Sequence, residues 1–89
     1  MAQRNWTIDL DGREHTVTLN WTYWGGEREV LVDGRVVNEN QKLLRWESNQ
    51  EFEIDGHQCA VITRPQHPNL AEFDIELLVD GRAVAPVPE

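Results

Sequence analysis

Trp6-Thr7-Ile8-Asp9-Leu10-Asp11-Gly12-Arg13-Glu14-His15-Thr16-Val17-Thr18-Leu19-Asn20-Trp21 reads as one β-hairpin. Trp6, Ile8 and Leu10 alternate with polar residues before Asp11-Gly12, and Val17, Leu19, Trp21 and Tyr23 alternate with Thr16, Thr18, Asn20 and Thr22 after it. A period of two places one set on a dry face and the other in water. Glycine, and to a lesser extent Asp, accepts the positive φ of a tight hairpin turn, whose twist then matches that of the strands it joins. Trp6 and Trp21 are therefore expected in the core, with Thr16, Thr18, Asn20 and Thr22 outside, and each turn glycine at positive φ.

The same punctuation recurs at Asp33-Gly34, Asp55-Gly56 and Asp80-Gly81, at intervals of 22, 22 and 25 residues. Tyr23-Trp24-Gly25-Gly26 turns the chain into a strand over 27–32, which the second Asp-Gly returns through Val37. Asn38-Glu39-Asn40 reads as a turn, Leu43 to Trp46 as a short strand, and Glu47 to Asn49 as a turn. Phe52 and Ile54 lead into the third Asp-Gly and Cys59 to Thr63 follow it. Arg64-Pro65-Gln66-His67-Pro68-Asn69 forms a loop before the strand over 72–79. No window carries an apolar stripe at helical spacing. Seven or eight short antiparallel strands built from consecutive hairpins predict an all-β fold, an antiparallel β-sandwich. One domain spans 5–86, and 87–89, rich in proline, form a frayed tail.

Eighty-nine residues hold one domain. Sixteen acidic against eight basic side chains give a formal net charge of −8. Nucleic acid and anionic membrane surfaces are unsuitable partners for that field. Cys59 is the only cysteine, which excludes an internal disulfide and suits a reducing compartment. With no signal segment and no apolar run long enough to span a bilayer, the chain reads as cytoplasmic.

Four sequence blocks together resemble the Fas apoptotic inhibitory molecule family: Trp6-x-Ile8-x-Leu10-Asp11-Gly12; Gly26-Glu27-Arg28-x-Val30-x-Val32-Asp33-Gly34; Trp46 ahead of Phe52-x-Ile54-x-Gly56-His57-x-Cys59; and Leu77-x-Val79-Asp80-Gly81. The resemblance runs from about Trp6 to Pro86. It implies a non-enzymatic β-sandwich related to proteins that restrain death-receptor apoptosis and protect stressed cells against aggregation. Animal members usually carry two such domains in tandem, where this sequence carries one.

No constellation for catalysis is evident. Asp9-x-Asp11-Gly12 starts like a calcium loop but lacks the remaining oxygen ligands. His57 and Cys59, two residues apart on one strand face, would need His15 or His67 to complete a metal site; they read instead as a rim histidine and a small core residue. Ser48, the only serine, has no histidine predicted beside it. Asn5-Trp6-Thr7 and Asn20-Trp21-Thr22 match the glycosylation pattern only through their strand composition. Neither metal nor cofactor is expected.

Binding remains. Residues flanking a two-residue turn face each other, so Leu10 opposes Arg13, Val32 opposes Arg35, Ile54 opposes His57 and Val79 opposes Arg82. Counting outward pairs Trp6 with Val17, Ile8 with His15, Val30 with Val37, Phe52 with Cys59 and Leu77 with Val84. The opposite faces then carry Leu31, Val36, Ile62 and Leu78. An apolar surface there on an acidic protein predicts contact with a protein partner or a homodimer. Trp24 and Trp46, off the inward phase, are the alternative site, for a small ligand or carbohydrate.

Overall fold

The computed structural model describes residues 2–21, 28–40, 48–65 and 73–87. These form eight strands: β1 Ala2–Leu10, β2 Arg13–Trp21, β3 Arg28–Val32, β4 Arg35–Asn40, β5 Ser48–Ile54, β6 His57–Pro65, β7 Phe73–Val79 and β8 Arg82–Val84. They make two four-stranded antiparallel meanders, β1-β2-β3-β4 and β5-β6-β7-β8. Side chains from both sheets meet in one core, where Trp6, Val17, Leu19, Val30, Val61 and Leu77 are fully buried. The expected β-sandwich is therefore the fold. Helix formation has no basis in this sequence, because its apolar residues alternate too quickly to line one helical face.

At all four turns both central residues have positive φ, from 48° to 55° at Asp11, Asp33, Asp55 and Asp80 and from 81° to 85° at the glycines. That pattern belongs to the type I′ turn, which lets a two-residue loop join twisted strands. It sets the pairing of Trp6 with Val17, Phe52 with Cys59 and Leu77 with Val84 as expected. The Trp6 indole is buried, Trp21 packs half-buried against the core's edge, and Thr16 is exposed. Thr18 and Asn20 are half-buried instead of exposed. They are covered by a polar ladder on the outer face: Thr18 donates to Asn5 at 2.8 Å, Gln3 to Asn20 at 3.0 Å and Asn20 to Glu29 at 3.1 Å. Thr22 lies outside the described residues, as do the short strand read at Leu43 to Trp46 and the turn at Gly25-Gly26.

One pairing differs. Val30 faces Asn38, not Val37, because the register shifts between Val30 and Leu31. The extra residue of a bulge, Val37, is left outside at 41% exposure. Asn38 then takes the position next to the second sheet, donating to the Glu51 carbonyl at 2.8 Å and accepting from Gln50 at 3.3 Å. Polar residues read as turns, Asn38 to Asn40 and Ser48 to Asn49, belong to strands here because they pair with β3 and β6. Arg64 and Pro65 likewise extend β6, pairing with Asp74 and Phe73. The tail is not wholly loose either: the Val87 amide donates to the Asn5 carbonyl at 2.8 Å, on the open edge of β1. Among the described residues no helix is long and apolar enough to cross a membrane.

Candidate functional site

The two sheets repeat each other. Glu29-Val30-Leu31-Val32-Asp33-Gly34-Arg35 recurs as Glu76-Leu77-Leu78-Val79-Asp80-Gly81-Arg82, and the register matches: Val17 pairs with Val32 as Cys59 pairs with Val79. Two residues before Val17 stands His15; two before Cys59 stands His57. Each histidine consequently sits beside the turn of the next hairpin in its own sheet.

Both imidazoles use both nitrogens. His15 Nδ1 lies 2.7 Å from Asp33 and Nε2 lies 2.9 Å from Asp55 in the facing sheet. His57 Nδ1 lies 2.6 Å from Asp80 and Nε2 lies 2.9 Å from Asp11 in the facing sheet. Four turns and two rings thus form a reciprocal clamp across one end of the sandwich. Asp33 is further held by the Thr16 amide at 2.9 Å, and its own amide donates to the Thr16 carbonyl at 2.9 Å. Asp80 repeats the second of these bonds, its amide donating to the Gln58 carbonyl at 2.8 Å.

Hydrogen bonds to two carboxylates favour the charged ring. Asp11 and Asp80 push His57 up from 6.5 to about 9, and Asp33 and Asp55 raise His15. Reciprocally, the Thr16 amide and His15 hold Asp33 below its usual range, and His57 does the same for Asp80. At neutral pH His57 is therefore an imidazolium between two carboxylates, and His15 is biased toward the same form. An imidazolium donating both N–H groups has no lone pair left, so His57 as placed can neither take a proton from a substrate nor ligate a metal, and both nitrogens of His15 are likewise engaged by carboxylates. Cys59 is 3% exposed in the core, and burial pushes its thiol up, which makes it a poor nucleophile.

The candidate contact residues do not share one surface. Leu31 and Val36 face each other on the outer side of the first sheet. Leu78 and Ile62 lie on the outer side of the second, with Ala60 and Ala83. Val36 is 45% exposed and Leu31, Ile62 and Leu78 are half-buried. The single patch drawn from local register separates because strands on either side of residue 41 belong to different sheets. Trp24 and Trp46 lie outside the described residues. Beside His15 an open cleft of about 500 Å³ is lined by Asp33, Arg35, Val37, Glu53 and Asp55 among others.

Sequence reasoning found the turns and both histidines but not their pairing. The repeated Glu-x-Leu-Val-Asp-Gly-Arg block, which aligns His15 with His57, is a signal for their in-sheet partners Asp33 and Asp80 alone. A search of curated proteins finds no match. The family model for Fas apoptotic inhibitory molecule matches residues 2–86, nearly the whole of a chain whose four hairpins carry the motifs that first suggested it, and the chain belongs to that family.

Proposed function

We propose that this domain is a non-enzymatic protein-interaction module, binding a protein partner or a second copy of itself through the outer face of its first sheet. The observation that carries this reading is Val36, 45% exposed on edge strand β4 with Leu31 across from it, while Val37, 41% exposed, opens beside them into the cleft by His15. Large apolar side chains grouped on an acidic surface are contact residues more often than ornament. Edge strands are where another chain most readily adds, and the Val37 bulge discourages open-ended stacking while leaving the face available. The clamp supports the non-enzymatic part, since its histidines are committed to structural ion pairs. The free thiol of Cys59 suits a cytoplasmic setting. Membership of a cell-protective family is compatible with such a module.

Sedimentation velocity of the wild type and Val36→Asp, with Ile62→Asp on the other sheet as control, tests the proposal. A specific interface needs roughly 1,200 Å² of total buried area. A carboxylate desolvated in its centre has no counterion, so Val36→Asp abolishes association while the melting curve is preserved. A wild type that stays monomeric and captures the same proteins as Val36→Asp refutes it.

A further inference from the structure

Asp-Gly is the dipeptide in which an aspartate most readily cyclises, because glycine offers no side chain to shield its amide nitrogen. This chain has four, and an ideal Cβ at any of their glycines would meet nothing within 4 Å. Shielding therefore does not distinguish them, but the anchoring of their carboxylates does. Asp33 is held by His15 and by the Thr16 amide, and Asp80 by His57 at its side chain while its own backbone amide is bonded to the Gln58 carbonyl. Asp55 is held by His15 and is 38% exposed, whereas Asp11 is held by His57 and is 73% exposed. At Asp11 a further feature appears: the Gly12 N–H donates to the Asp9 carboxylate at 3.0 Å. Among the described residues no other turn glycine places its amide proton on a carboxylate.

We propose that Asp11-Gly12 is the modification site of this domain, the bond at which it spontaneously forms a succinimide and then isoaspartate, and that His57 restrains the reaction. In the resting clamp the Asp11 carboxylate is bonded across to His57 on β6. Once it leaves His57, the Gly12 nitrogen attacks Cγ of the protonated Asp11 carboxyl. A C–N bond forms, the amide proton passes to the Asp9 carboxylate, and Asp9 returns it to the Cγ hydroxyl, which departs as water. Water then adds to either carbonyl of the ring, regenerating Asp11 or leaving isoaspartate with no net change of mass. The backbone gains a methylene at that point, which a two-residue I′ turn cannot hold in register.

The experiment incubates the folded protein at neutral pH and quantifies isoaspartate at each of the four sites by electron-transfer fragmentation of its peptides, in the wild type, His57→Phe and His15→Phe. The wild type accumulates isoaspartate at Asp11 first, then Asp55, with Asp33 and Asp80 lowest. His57→Phe removes a histidine contact from Asp11 and Asp80 together, yet raises the rate severalfold at Asp11 only, because Asp80 keeps its backbone anchor. His15→Phe raises Asp55 in the same selective way, leaving Asp33 low. In concentrated urea the four sites react comparably. Equal accumulation at all sites in the folded wild type, or a rise in folded His57→Phe that is absent at Asp11 or uniform over all four sites, overturns the proposal; should His57→Phe unfold, His15→Phe decides, and a rise there that is not selective for Asp55 overturns it.

Discussion

Raising the pH should weaken this fold through the clamp, and the size of the effect follows from its geometry. Folding moves His57 from 6.5 to about 9, so below 6.5 the ring is charged in both states and the full stabilisation is present. As pH climbs, the unfolded chain releases its proton first and the folded chain keeps it. Stability then falls until the folded ring titrates near 9. Midway, near pH 7.8, the two states differ by about 0.9 proton, which multiplies the unfolding constant by roughly eightfold per pH unit from His57 alone. His15, also raised, adds a slope of the same sign. Solvent reaches the partners, with Asp11 73% and Asp80 52% exposed, so this figure applies at low salt and shrinks as salt screens the pairs. On the acid side, Asp33 and Asp80 sit below 3.8; their contribution is present above that value and lost as pH falls through the lowered one. Cys59, raised from 9.0 by burial, steepens the loss only above about pH 9. The assay is the urea midpoint from about pH 4 to about pH 10, at low and high salt, for the wild type, His57→Gln and the double variant with His15→Gln. The wild type should be most stable between about pH 4 and about pH 6.5 and decline from there, His57→Gln should flatten the decline, and the double variant should abolish it below about pH 9. A wild-type stability that is level from about pH 6.5 to about pH 9, or a double variant with an unchanged slope, refutes the charged clamp.

Three other outcomes are expected. Trp6→Ala empties the largest fully buried position among the described residues and should cost about 3–5 kcal/mol in denaturant unfolding, a large part of the total for a domain this size; a loss under about 1 kcal/mol would contradict its placement. Gly34→Val and Gly81→Val force a β-branched residue into φ of 85° and 81° and should each cost at least about 1–2 kcal/mol, whereas Val36→Thr on the exposed face of β4 should be near neutral. Val87→Pro removes the amide that donates to Asn5 and should cost about 0.5–1.5 kcal/mol, with Val87→Ala as the control that keeps the bond; equal stability of the two would show that the tail contact carries nothing.

The architecture was legible because its information is local. Alternation around Asp-Gly names the strand faces, and a two-residue turn converts position into partner, so Trp6–Val17, Phe52–Cys59 and Leu77–Val84 follow by counting. Counting fails where an extra residue enters: Val37 is expelled by the bulge and Asn38 takes its place opposite Val30. It fails again at polar strand ends, since Asn38 to Asn40 and Ser48 have turn-forming side chains and are held extended only by neighbours in the sheet. The clamp was invisible for a different reason. His57 reaches Asp11 from the far sheet, a contact fixed by how two meanders face each other, which no local spacing records. The separation of Leu31 and Val36 from Ile62 and Leu78 has the same cause.

Why all four turns carry Asp, when Asn serves a type I′ turn equally well, is explained by the clamp. A turn needs only a residue tolerant of positive φ, but a doubly protonated ring needs an anion on each nitrogen. Asp33 meets a further demand, receiving a backbone amide as well as a histidine; Asn could present only one oxygen and would leave the ring facing an NH₂ group. Among the described residues the sheets exchange no backbone ladder, their strand pairs closing within each meander. Beyond core packing, side-chain bonds that join one to the other include His15–Asp55 and His57–Asp11 at the turn end, and those of Asn38 and Gln50 along the β4–β5 side. The turn residues thus set both the path of each hairpin and the seating of one sheet on the other. With alignment fixed from the inner face and the end, the outer face of the first sheet carries, beyond the polar ladder of Thr18 and Asn20, no structural duty that would exclude Leu31 and Val36, and the exposure of Val36 is free to serve the proposed contact with another chain.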